Sequence, residues 1–238
     1  GVRFPIEIRD KAHRTQATVA MVGLTVDLPH QFKGTHMSRF IEVLNAHGRV
    51  LHVDNVLRVV EELRARLDAA QAHADFEFPF FLEKAAPATG AVGLMDYGVR
   101  FEAATDGAVR DFVLTVRVPV TTLCPCSKAI SERGAHNQRG EVTFSVRSAR
   151  PIWIEDLVRL VERCASSELY SLLKRPDEKA VTERAYDNPK FVEDLVRDVA
   201  LALARDRRIA AFSVESENFE SIHNHSAYAA IEGVNGAA

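Results

Sequence analysis

The sequence predicts an α+β protein built on antiparallel sheets. Two observations carry this. Apolar and polar residues alternate through several runs, the period of a half-buried strand. The order of elements, β-β-α-α-β-β, also occurs twice, with strand pairs and helix pairs in separate runs. The chain has 238 residues, 47% apolar and 26% charged, the composition of an ordinary folded protein with one large domain or two small ones. No low-complexity linker divides it, so 1–106 and 107–238 are expected to be two units sharing one core.

The first half opens with strands at Val2–Asp10 and Thr15–Leu28, the second rich in β-branched residues such as Val19, Val22 and Val26. Thr35 opens a helical pattern with Met37, Phe40, Ile41 and Leu44 on one face, and Gly48 suits its end. Asp54 is the expected N-cap of a second helix carrying Leu57, Val60, Leu63 and Leu67. Phe76–Phe81 and Val92–Ala103 read as strands joined through Pro87 and Gly90. The second half repeats the order. Strands are expected at Val109–Thr122 and Glu141–Val146, then helices at Ile154–Ser166 and Pro189–Arg205, the latter capped by Asn188. Ile209–Glu217 and Ser221–Ile231 complete the set as strands.

Lys and Arg number 30 against 33 Asp and Glu, a net charge of −3 that gives no global case for nucleic acid or an anionic membrane as partner. Apolar runs such as Val199–Ala204 are far too short to span a bilayer. No basic start followed by an apolar core marks a signal peptide, and a chain starting at Gly1 is expected to lack some N-terminal residues. Three cysteines, an odd number, point to a reducing, cytoplasmic setting. Cys164 falls on the apolar face of a helical pattern with Leu157, Leu160 and Val161 and reads as a core residue.

Cys124 and Cys126 flank Pro125 where an alternating strand stops, since proline denies the ladder a donor. His136 follows ten residues beyond Cys126, among Lys128, Arg133 and Arg139. Thiolate and imidazole are common ligands of zinc and similar ions, so a metal site is one reading. A Cys–His nucleophilic pair and plain surface thiols beside a turn are the others. His223 and His225, two apart, would share one face of a strand and could bind a metal, move protons near neutral pH, or be solvated. Lys33, His36 and Arg39 crowd a helix start, which attracts phosphate, although no P-loop spacing or Gly-x-Gly-x-x-Gly is present. Glu178 lies in the irregular stretch Lys174–Asp187, and Glu193 precedes Arg197 by four, the spacing of a surface ion pair.

Five segments, read together, resemble GTP cyclohydrolase I of the type IB family. They are Leu28-Pro-His-Gln-Phe-Lys-Gly-Thr-His-Met-Ser-Arg-Phe40, Gly93-Leu-Met-Asp-Tyr97, Leu123-Cys-Pro-Cys-Ser-Lys128, Gly134-Ala-His-Asn-Gln-Arg139 and Glu220-Ser-Ile-His-Asn-His225. They occur in the family's order along nearly the whole chain. The resemblance implies the tunnelling fold, two tandem β-β-α-α-β-β units with helices outside, assembled as a homotetramer with sites at subunit boundaries. It implies hydrolysis of the cyclic amidine in GTP, giving 7,8-dihydroneopterin triphosphate and formate at the entry to tetrahydrofolate synthesis. Carried over by motif, Cys124, His136 and Glu178 are the expected ligands of a divalent metal, zinc or manganese or else iron(II). Glu193 is the expected guanine anchor and His223 and His225 the catalytic histidines, with Cys126 a second catalytic thiol or occasional ligand. Lys33, His36, Arg39, Lys128, Arg133 and Arg139 are the cations available to a triphosphate.

Three further readings share these residues. A nitrile reductase would use Cys124 or Cys126 as a nucleophile without a metal. An archaeal-type cyclohydrolase would use iron and release a cyclic phosphate. A non-catalytic purine- or metal-binding protein would merely hold its ligand.

Overall fold

The structure is a computed structural model that describes all residues except 29, 31, 32, 48, 49, 149 and 236–238, with backbone alone at 53 and 54. The first half runs β1 (Val2–Asp10), β2 (Arg14–Val26), α1 (Met37–Ala46), β3 (Val50–Leu51), α2 (Val53–Arg66), β4 (Ala72–Ala85) and β5 (Val92–Thr105). The second runs β6 (Arg110–Leu123), α3 (Pro125–Ile130), β7 (Asn137–Ser148), α4 (Ile154–Cys164), β8 (Ser167–Glu168), α5 (Arg175–Asp187), α6 (Val192–Arg205), β9 (Ile209–Phe219) and β10 (Ser226–Val234). The doubled β-β-α-α-β-β order is therefore present, with short strands and helices inserted.

The chain forms two compact units, one of Gly1–Pro79 and Gly98–Thr115, the other of Phe80–Tyr97 and Val116–Ala238. The expected boundary at 106/107 lies in the β5–β6 turn, inside the first unit. Strands β4, β5 and β6 each have 14 residues and contribute to both units. At about 3.3 Å per residue each is roughly 46 Å long, more than one small core can cover.

In the first unit the strand order is β3-β1-β2-β4-β5-β6, with β1–β2 and β2–β4 antiparallel and β1–β3 parallel. Alternation buries Ile6 and Ile8 on β1, Ala20 and Val22 on β2, and Phe76 and Phe78 on β4. On α2, Val56, Val59, Val60 and Leu63 recur at helical spacing and are buried. Phe101 lies edge-on to Phe78 with ring centroids 5.2 Å apart.

In the second unit the order is β4-β5-β6-β7-β9-β10, with β8 on β6. Val116, Val118 and Val120 of β6, Val142 and Phe144 of β7, and Phe212 and Val214 of β9 are buried. Helices α4 and α6 also bury apolar faces, Leu157, Val158 and Val161 on one and Leu195, Val196, Val199 and Leu203 on the other. A buried polar network braces α4. Glu162 Oε1 accepts from Lys84 Nζ at 2.6 Å and from Tyr97 Oη at 2.8 Å, and Lys84 also donates to Leu169 O at 2.7 Å. In the β7–β9 register Gly140 faces Asn218. A Cβ at 140 would sit 2.7 Å from Asn218 Oδ1 and 3.0 Å from Glu217 O, so the strands close up here only around glycine.

Several expectations are corrected. Lys174–Asp187 is not irregular; it contains α5, so Glu178 is helical. This helix lacks an apolar stripe, burying only Asp177 and Ala185, so periodicity missed it. Its start was nonetheless marked by Pro176 with Asp177 and Glu178 in the first turn. The following helix begins at Val192 rather than Pro189, because Asn188 already terminates α5 and donates Nδ2 to Ala165 O at 2.8 Å. Helix α2 is capped by His52, which places Asp54 within its first turn. Helix α4 stops at Cys164, before Ser166. Strand β10 begins at Ser226, so His223 and His225 lie in the β9–β10 loop, not on a strand. Gly48 lies outside the described residues.

Asp177 is the fixed point of α5. Its Oδ1 accepts the N–H groups of Ala88 and Thr89 at 2.8 Å each, and Oδ2 accepts Thr89 Oγ1 at 2.7 Å and Lys174 N–H at 2.9 Å. Burial opposes ionisation, but these donors outweigh it and hold the carboxyl at about 2, below the ordinary 3.8. Because the folded-state value is depressed, this contribution is complete above about pH 4 and lost as pH falls towards 2. Asp177→Asn is expected to lower Tm at pH 7 by about 2–4 °C or more, and to lose less stability than wild type between pH 4 and 2. Thermal unfolding across that range checks both.

Candidate functional site

The site is built where β6 ends. Leu123 donates its N–H to Ser166 Oγ at 3.1 Å and accepts Lys190 N–H at 3.0 Å, which anchors the strand end. Cys124 is the N-cap of α3 and Pro125 its first residue, a position where a missing N–H costs nothing. The chain returns through Gly134, at φ +108, a conformation that suits glycine. Cys124 N–H then donates to His136 O at 3.1 Å.

Ser127 locks this turn. Its hydroxyl accepts His136 N–H at 3.1 Å and donates to Cys124 O at 3.3 Å, while its own N–H donates to Cys124 Sγ at 3.4 Å. The His136 ring is held separately. Nδ1 lies 3.1 Å from Gln138 Oε1 and 3.5 Å from Ser221 Oγ, and Gln138 Nε2 donates to Thr122 Oγ1 at 3.0 Å. Sequence reasoning singled out His136 but missed Gln138. Its signal was an amide at an inward position of an otherwise apolar strand.

Cys124 is half-buried and Cys126 exposed, although one residue separates them. Cys164 is half-buried on α4 and not a full core residue; burial pushes its thiol up. The rings of His223 and His225 stack with centroids 5.1 Å apart and planes at 18°. They share one side as expected, but through loop geometry. Ser221, at the start of their loop, is the residue beside His136 Nδ1.

The remaining candidates are dispersed. Glu178 is exposed in the first turn of α5, and Glu193 is exposed in the first turn of α6. Arg197 pairs with Asp194 and not with Glu193, correcting the expected surface pair. Lys128 is engaged: its Nζ donates to Tyr186 O and lies 4.2 Å from the centre of the Tyr186 ring. Arg39 donates to Arg66 O at 3.0 Å. Lys33, His36, Arg133 and Arg139 are exposed, and His36 is the N-cap of α1.

The donor chemistry of Cys124 and His136 fits a transition-metal ion. Sulfur and imidazole come from one braced turn, and the engagement of Nδ1 leaves Nε2 as the nitrogen for coordination. Among the described residues no group of three or more His, Cys, Asp or Glu stands together as a preformed ion cage. The backbones of two of the three expected ligands, Cys124 and His136, are hydrogen-bonded to each other, while Glu178 stands on α5.

Solved structures with the same architecture are uricases, here a match of fold alone. The uricase from Arthrobacter globiformis superposes with a TM-score of 0.59 at 11% identity, covering 100% of this chain and 92% of its own. Urate oxidase from Bacillus sp. TB-90 gives 0.56 at 6%, covering 97% and 94%. The chain is therefore an α+β tunnelling-fold protein with a cysteine and a histidine displayed on one turn. Residues 1–229 match the family described as type I GTP cyclohydrolase folE2, and the chain belongs to that family. Proteins named GTP cyclohydrolase FolE2 are similar over almost the whole chain. That of Akkermansia muciniphila is 63% identical over 98% of this chain and 89% of its own length. Those of Magnetococcus marinus and Geobacter sulfurreducens are 56% and 57% identical over 98% and 97% of this chain, and 88% and 89% of their own length.

Proposed function

We propose that this chain hydrolyses GTP to 7,8-dihydroneopterin triphosphate and formate, the first step of tetrahydrofolate synthesis, with Cys124, His136 and Glu178 as ligands of a divalent metal. The observation that supports the reading is the backbone hydrogen bond from Cys124 N–H to His136 O, which ties the two residues to one turn, in a chain belonging to the FolE2 family. A divalent ion with an open position supplies Lewis acidity and activates a water.

The chain's own residues do the rest. Glu193, projecting from the first turn of α6, accepts two hydrogen bonds from the N–H edge of guanine and selects against adenine, which presents a different pattern there. His223 and His225 are exposed and adjacent, and they hold and transfer the proton that the purine ring nitrogen must gain as its five-membered ring opens. Within the second unit the triphosphate draws on Arg133 and Arg139, and on Lys128 once released from Tyr186. Cys126, exposed beside the turn, serves as a second thiol near the reacting centre.

A homotetramer with sites at subunit boundaries accords with two features. Glu178 and Glu193 both face solvent in the single chain. Strand β10 ends the second unit's sheet order and exposes Tyr228 and Val234, 60% and 83% accessible, so its outer edge is a template for another strand. All three cysteines are free, which accords with a reducing, cytoplasmic setting. Among the described residues no helix is long and apolar enough to cross a membrane.

One soft sulfur with an imidazole and a carboxylate makes zinc bind tightly and manganese acceptable, with iron(II) between them in character. Formate release from GTP by apo protein reloaded with zinc, manganese or iron in turn tests the whole reading; no release with any ion overturns it. Cys124→Ala is expected to lose both metal and turnover, read by metal analysis alongside the formate assay. Glu193→Gln swaps an acceptor for a donor at the guanine edge and is expected to weaken GTP binding about 10- to 100-fold, with metal content unchanged, by calorimetry. Cys126→Ala is expected to keep its metal through dialysis; losing it, where wild type does not, would show a site with two sulfur ligands.

A further inference from the structure

We infer that Gln138 is a positioning residue that fixes the tautomer of His136, so that the Nε2 lone pair is the one offered to an ion. The inference rests on His136 being a metal ligand, as proposed above. Gln138 occupies an inward position of β7, 7% exposed, followed at alternate positions by Gly140, Val142 and Phe144. An amide at such a position is stabilised only where its hydrogen bonds are made. Its Nε2 donates to Thr122 Oγ1 at 3.0 Å, and Thr122 is fully buried on β6. The other end of the amide, Oε1, lies 3.1 Å from His136 Nδ1.

An amide oxygen can only accept, so the ring nitrogen facing it carries the proton. A neutral imidazole with its proton on Nδ1 has its lone pair on Nε2. Ser221 Oγ, 3.5 Å from the same Nδ1, adds a second oxygen on that side. The backbone of His136 is held independently, its N–H by Ser127 Oγ and its carbonyl by Cys124 N–H. Removing the Gln138 amide therefore frees the ring while the turn stays in place. Thr122 acts one step further out, as the acceptor for the other end of the amide.

The test uses the full chain labelled with [15N]histidine. In metal-free wild type at neutral pH, the His136 signals are expected to show Nδ1–H and an unprotonated Nε2. Gln138→Leu should lose that preference and bind zinc about 10- to 100-fold more weakly in chelator competition. Gln138→Glu keeps an acceptor at Nδ1 and should retain both the tautomer and near-wild-type zinc affinity, which loss of packing alone would not predict. Thr122→Val provides a second route to the same loss should Gln138→Leu fail to fold. A wild-type ring protonated on Nε2, or an unchanged tautomer and zinc affinity in Gln138→Leu, overturns the inference. His136→Ala separates the two claims. If it loses zinc while Gln138→Leu does not, the ligand assignment stands and the positioning role falls. If His136→Ala keeps full zinc affinity, the ligand assignment itself falls, and the inference about Gln138 falls with it.

Discussion

The hydrogen bond from Cys124 N–H to His136 O closes a loop of a dozen residues between the ends of β6 and β7, and the chemistry of the second unit is organised around it. Without it the two residues would be separate features on a surface connection. With it, the sulfur and the ring stand on a braced turn whose inner polar groups are satisfied by Ser127. Two hydrogen bonds supply the rigidity behind the turn, since Leu123 is tied to Ser166 Oγ on one side and Lys190 N–H on the other. The loop is anchored through backbone bonds and the Ser127 hydroxyl, which leaves Cys126 exposed on it.

Much of this was legible in the sequence because strands of this kind write their burial plainly. Val116, Val118 and Val120 alternate with half-exposed residues, and the buried faces of α4 and α6 recur at helical spacing. Pro125 announced the strand end. What escaped was decided by tertiary contacts. Helix α5 packs through one buried carboxylate and one alanine, so no hydrophobic period betrayed it. Asn188 has the residue type of an N-cap but closes the preceding helix, because its side chain finds Ala165 O. His223 and His225 read as strand residues, yet the sheet resumes only at Ser226. For the site, the Cys124–His136 pairing was visible as a motif, whereas the Thr122–Gln138 support depends on register between β6 and β7, which no local pattern encodes.

The cations tell a related story about charge. Sequence supplies a generous basic set, but the fold commits part of it. Lys128 is held by a carbonyl and an aromatic face, and Arg39 caps the carbonyl of Arg66. Lys84 is consumed wholly within the second unit by Glu162 and Leu169 O. A net charge near neutrality thus hides a division between cations that stabilise segments and cations left to solvent, and only the latter can meet an anion without breaking something first.

The β4–β5 turn around Pro87 and Gly90 looks like the natural place to reopen the chain, being short and solvent-facing. Its backbone says otherwise. The adjacent N–H groups of Ala88 and Thr89 both end on the carboxylate of Asp177. Circularly permuting the protein with new ends between these two residues would keep both nitrogens as donors but untie them from each other, so each would have to reach the carboxylate from a loose chain end. The helix bearing Glu178 would then be tethered at its first turn by two chain ends in place of one closed turn. A loop that seems disposable by exposure is, by its hydrogen bonds, part of the scaffold.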